Sequence, residues 1–221
     1  MVIFVTTKFD NMNVNKGNAW AFALKSPDKI LYIEREISKT NNLSEEKYQK
    51  LVEESYFRGM TKVDENINIV SIDEENIPLN IYINSDENIK IKVKEFLEEM
   101  ANKYQEQITL VFENSIDYVY FINTAFNFNE EGELELYDFM DFASIILETI
   151  LTLTDSFEGY LDAKDDYIQK LDDGENDKDA VKRLTAVTDA FILETTYFML
   201  IEGIINGNYD EENEVSEENN D

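Results

Sequence analysis

The chain has 221 residues, enough for one sizeable domain or two small ones, and it contains neither histidine nor cysteine. Imidazole and thiolate nucleophiles, the usual zinc sites, haem ligation and disulfides are thereby removed. Its 48 acidic residues outnumber 19 basic ones for a net charge of −29, so free nucleic acid and anionic membranes are repelled while a basic protein surface is attracted at long range.

Hydrophobic residues (43%) and aromatic residues (12%) are plentiful enough for a packed core. The apolar run Val2 to Val5 is short for a signal peptide, and the basic Lys8 follows it instead of preceding it. Glu148, Glu194 and Glu202 break the later apolar stretches before the ~18 uncharged residues of a membrane span. A soluble, cytoplasmic protein is expected. The acidity is uneven: residues 1–105 hold 14 bases and 18 acids, residues 106–221 hold 5 bases and 30 acids, and no Lys or Arg occurs between Lys103 and Lys164.

In chain order, Val2 to Thr7 predicts a strand. Asn18 to Lys25 and Ile30 to Ile37 flank Ser26-Pro27-Asp28-Lys29 and predict a hairpin. Ser44 is placed to cap a helix, with Tyr48, Leu51, Val52 and Tyr56 as apolar positions and Gly59 at its end. Ile67 to Ile72 and Leu79 to Ile83 predict strands. Asn88 to Tyr104 predicts a helix with Ile89, Val93, Phe96, Leu97 and Met100 on one face. Ile108 to Glu113 and Asp117 to Ile122 follow as expected strands.

The second half reads as helical: Leu134 to Phe157 and Asp179 to Asn206 carry apolar stripes and are expected to pack as an antiparallel pair. Between them lie a short helix at Tyr160 to Leu171 and a loop at Asp172 to Asp177. From Gly207 onward there are seven acids and no base, the composition of a disordered tail. The expected class is α+β: a mixed β-sheet with helices in residues 1–130, an acidic helical C-terminal region packed on it in 131–206, and the tail at 207–221.

The strand Val2-Ile3-Phe4-Val5-Thr6, the strand Lys16-Gly17-Asn18-Ala19-Trp20-Ala21-Phe22-Ala23-Leu24 and the segment Lys39-Thr40-Asn41-Asn42 occur in the order strand, strand, strand, helix, strand, helix. This resembles the first half of the ribonuclease H-like fold, over residues 2–104. The resemblance implies carboxylates that hold two metal ions for hydrolysis. Glu45 matches its acidic residue at the start of the first helix, and Asp86 lies near the one that ends its fourth strand. Thr6, however, stands at the position of the first-strand aspartate, and a hydroxyl does not replace a bridging carboxylate. The resemblance therefore implies a scaffold that has lost catalysis.

Other constellations are weak. With Gly174 as the sixth residue of a calcium loop, position one falls on Gln169, so the EF-hand pattern fails. Trp20 sits among alanines and Phe22 and reads as a core residue. On the expected helix from Leu134, Asp138, Asp141, Glu148 and Asp155 fall at spacings of three, seven and seven, which at ~100° per residue makes one acidic stripe with ~10.5 Å between heptad-spaced members. Glu130, Glu131, Glu133 and Glu135 precede it. This pattern imitates, sparsely, the phosphate row of a nucleic acid. The expectation is a non-enzymatic protein, without cofactor or metal, that blocks a basic nucleic-acid-handling protein in the manner of a phage anti-defence inhibitor, with Asp138, Asp141, Glu148 and Asp155 as partner-binding residues. An immunity protein that neutralises a basic toxin nuclease has the same electrostatics, and a metal-dependent ribonuclease H-like nuclease is the enzymatic alternative.

Overall fold

The computed structural model describes residues 1–9, 19–35, 49, 64–70, 76–84, 86–135, 137–140, 144–153 and 185–205. The expected helix from Ser44 to Gly59, apart from the helical Gln49, the segment Tyr160 to Asp177 and the tail lie outside these residues.

Seven strands form one mixed sheet: β1 (Val2–Phe9), β2 (Ala19–Lys25), β3 (Ile30–Arg35), β4 (Asp64–Val70), β5 (Asn76–Asn84), β6 (Thr109–Phe112) and β7 (Ile145–Ile146), in spatial order β4-β5-β3-β2-β1-β6-β7. The β1/β2, β2/β3 and β4/β5 pairs are antiparallel, whereas β3/β5, β1/β6 and β6/β7 are parallel. Four helices complete the described chain: α1 (Asp86–Tyr104), α2 (Ser115–Ala125), α3 (Leu147–Leu153) and α4 (Thr185–Ile205). The architecture is α+β with a mixed sheet, as expected. Among the described residues no helix is long and apolar enough to cross a membrane.

The predicted hairpin is present. Its turn closes through Ser26, whose N–H and hydroxyl both donate to the Lys29 carbonyl at 2.9 Å, with Pro27 fixing the backbone angle at the next position. Every residue of β2 is buried, which explains why Ala-Trp-Ala-Phe-Ala-Leu-Lys lacks polar alternation: helices cover the sheet on both sides there. On one face Ile3, Val5, Phe22, Leu24, Leu31 and Ile33 pack beneath α1 and α2. On the other Phe4, Ala21, Ala23, Ile30 and Tyr32 pack beneath α4. Each large side chain so buried contributes on the order of 1.5–3 kcal/mol. Ala21 and Ala23 on β2 share one core with Ala186 and Ala190 on α4, where the Thr6 hydroxyl donates to the Ala186 carbonyl at 2.5 Å.

Three expectations are corrected. Asp117 to Ile122 is not a strand but lies within α2. Asn114 caps that helix, its Oδ1 accepting from the N–H groups of Ile116 and Asp117 at 2.9 Å each, and this cap outweighs the β-preference of the Tyr/Val/Phe/Ile run. Of the helix expected over Leu134 to Phe157, the described residues hold only α3. Upstream of it, Met140 bridges to Ile108 and Ile145–Ile146 pairs with Val111–Phe112, so the chain completes the parallel edge of the sheet there. A short apolar run at a parallel edge has the same texture as a buried helix segment. Finally, among the described residues α4 packs against β1, β2 and β3 and not against a second long helix.

Candidate acidic interaction surface

Between α2 and β7 the chain folds back on itself, with Phe128 and Leu134 in an isolated antiparallel bridge. Asn129 organises this turn. Its Oδ1 accepts from the N–H groups of Glu131 at 3.0 Å and Glu133 at 2.8 Å, its Nδ2 donates to the Glu133 carboxylate at 3.1 Å, and its own N–H donates to the Glu133 carbonyl at 2.9 Å. Gly132, at φ +81°, supplies the left-handed residue that the reversal requires. The Glu135 N–H then donates to the Asn127 carbonyl at 3.0 Å. Glu130, Glu131, Glu133, Glu135 and Asp138 are all exposed on this ordered segment, and among the described residues none of the five is in an ion pair.

A second concentration of acid lies at the carboxyl ends of the central parallel strands. Lys8 near the end of β1 pairs with Asp189 of α4. Glu113 follows β6 directly, and its carbonyl accepts the N–H of Glu148 at 2.8 Å, which brings the start of α3 beside it. Asp117, in the first turn of α2, is buried, and the Thr7 hydroxyl donates to its carbonyl oxygen at 3.3 Å. Burial, reinforced by the charge of Glu113, pushes the Asp117 carboxyl up to about 7; Lys8 acts in the opposite sense.

The resemblance to ribonuclease H-like enzymes implies metal-binding carboxylates at Glu45 and Asp86, with Thr6 in the first-strand position. Thr6 is committed to the Ala186 carbonyl. Lys8 brings an ammonium, in place of a further ligand, among the carboxylates. Asp86 opens α1 after β5, three strands from β1, or about 14 Å across the sheet. Glu45 lies outside the described residues. Among the described residues no group of three or more acidic side chains is arranged to hold a metal ion.

Of the expected acidic stripe, Asp138 and Glu148 lie among the described residues. Asp138 sits in the turn that ends at Met140, not on a helix, whereas Glu148 is exposed in the first turn of α3; Asp141 and Asp155 lie outside the described residues. A shared helical face is therefore not what joins Asp138 to Glu148. The reason is the sheet edge: once Ile145 and Ile146 become a strand, no continuous helix runs from 138 to 148. Sequence reasoning missed the Lys8, Glu113, Asp117 and Asp189 cluster, because only tertiary docking brings β1, α2 and α4 together. No protein-family model matches the chain, and no curated protein matches it.

Proposed function

We propose that this chain is a non-enzymatic acidic protein that occupies the basic surface of a nucleic-acid-handling protein, built on a ribonuclease H-like scaffold without catalysis. The observation that carries the reading is the Asn129 turn, which holds Glu130, Glu131, Glu133 and Glu135 exposed, with Asp138 following, in a stretch of chain that has no base from Lys103 to Lys164. A turn fixed by its own hydrogen bonds presents these charges with little ordering cost on binding, the condition for electrostatic capture of Lys and Arg side chains. Among the described residues β1, β2 and β3, then β4 and β5, then α1 follow the expected order, with the helix expected from Ser44 outside them apart from Gln49. Lys8 and Thr6 support the loss of catalysis.

Affinity capture from the source cell with the immobilised chain tests the proposal. The captured protein should itself bind nucleic acid, should be displaced by duplex DNA or RNA and by moderate salt, and should be lost when Glu130, Glu131, Glu133 and Glu135 are changed to Gln and Asp138 to Asn. A partner indifferent to nucleic acid, or retained by the neutral variant, overturns it. Capture of a toxin nuclease would assign the immunity role within the same reading. Cleavage of RNA, DNA or hybrids with Mg²⁺ or Mn²⁺ that depends on Asp117 and Asp189 would replace it by the nuclease reading.

A further inference from the structure

One groove on this acidic protein is cationic. Lys90 and Lys94 lie one turn apart on α1 and face Asn127, Glu135 and Tyr137 across a cavity of about 350 Å³, with Ile91 also lining it. The volume is at the lower end of small-molecule sites. The Lys90 ammonium donates to Asn127 Oδ1 at 2.9 Å, which leaves the Asn127 amide N–H groups as donors. The Lys94 ammonium stands 5.5 Å from the centroid of the Tyr137 ring. Burial raises the pKa of Tyr137, so its phenol is a neutral donor at neutral pH. Among the described residues no carboxylate is within ion-pair distance of either lysine.

Two ammoniums, an amide and a phenol around one space make a set of donors suited to a phosphate. Ile91, half exposed, and the ring of Tyr137 offer apolar surface beside it, and Glu135 is an acidic acceptor in its lining. We propose that this groove binds a small phosphomonoester whose body carries hydroxyl or N–H donors, a sugar phosphate or a mononucleotide. The phosphate lies between Lys90, Lys94 and the Asn127 amide, and the body rests on Ile91 and Tyr137 with a donor on Glu135. The inference does not depend on the identity of a protein partner.

The full-length chain is titrated with ribose 5-phosphate, AMP, inorganic phosphate and adenosine, followed by chemical-shift changes of labelled lysine and tyrosine side chains. Saturable binding of ribose 5-phosphate or AMP below about 10 mM is expected, tighter for AMP if a base occupies the apolar wall. The Lys90→Met, Lys94→Met double variant should weaken it at least tenfold at an unchanged melting temperature. Lys92→Met should leave it intact, because that lysine engages Glu95 and the Tyr82 ring instead. Glu135→Gln should weaken the esters and spare inorganic phosphate. Absence of saturation for both esters, adenosine binding as tightly as AMP, or equal binding by the double lysine variant overturns the proposal. Inorganic phosphate binding as tightly as the esters overturns the part assigned to Ile91, Tyr137 and Glu135.

Discussion

Lys25 at the end of β2 and Glu194 on α4 form an ion pair of 2.5 Å across the sheet–helix interface, with the lysine side chain only 2% exposed. The ammonium also lies 4.9 Å from the centroid of the Phe191 ring. Removing one partner of a desolvated pair leaves an uncompensated charge, which costs more than the pair itself contributes. Glu194→Gln should therefore destabilise the fold by about 3 kcal/mol. Lys25→Met combined with Glu194→Leu should recover most of that loss. Denaturant unfolding of the single and double variants checks this, and a double variant no better than Glu194→Gln would show that the cost lies in packing.

Asp117 gives the fold a pH dependence of definite sign. Its carboxyl titrates near 7 in the folded chain against about 4 when unfolded, so the native state binds the extra proton between these values. Stability from this group is complete below pH 4 and is lost as pH rises towards 7, at about 1.4 kcal/mol per pH unit as an upper bound. Asp117→Asn should consequently be more stable than the parent at pH 8 and about equal to it at pH 4. Parallel stability curves for the two proteins across this range would refute the assignment.

Lys8 opposes the same electrostatic cost and partners Asp189, although its side chain is 29% exposed. Lys8→Met should lower stability by about 2 kcal/mol at pH 8, discounted from a fully buried pair for solvent access, and by less at pH 5, where Asp117 is protonated. Chemical denaturation at the two pH values measures the difference.

Asn129→Ala removes the acceptor that holds the N–H groups of Glu131 and Glu133. Because the turn is exposed, global stability should fall by about 1 kcal/mol or less. Backbone order at residues 130–133 should drop, visible as lower NMR order parameters, and partner capture should weaken without any change in charge. Unchanged capture would separate the turn's geometry from its acidity.

The strands of the first half were legible because β-branched and aromatic runs are punctuated by Ser26-Pro27-Asp28, and α1 because Ile89, Val93, Phe96, Leu97 and Met100 repeat at helical spacing. At α2 the signal was present in Asn114 followed three residues later by Asp117, a cap with an acid in the first turn, but the aromatic run masked it. No local signal marks β7, whose two residues are strand only because β6 lies beside them. The exposed acids before Asp138 were visible as composition; the Asn129 network that orders them was not, since it depends on which hydrogen bonds the turn closes. The partners of Lys8 and Lys25 lie beyond any sequence window.

The docking of Thr6 onto Ala186 joins residues 180 positions apart, and it dictates the timing of assembly. At ribosomal speeds of about 5–20 residues per second, β1 waits roughly 10 to 40 s for α4 to be made. During that interval the face bearing Phe4, Ala21 and Tyr32 lacks α4, and Lys8 and Lys25 lack the counter-ions that α4 brings. Such non-local closure is slow, and a nascent sheet whose apolar face is not yet fully covered is prone to self-association. Expression at low temperature or with added chaperones should raise the folded yield, whereas chains that stop before residue 185 should precipitate.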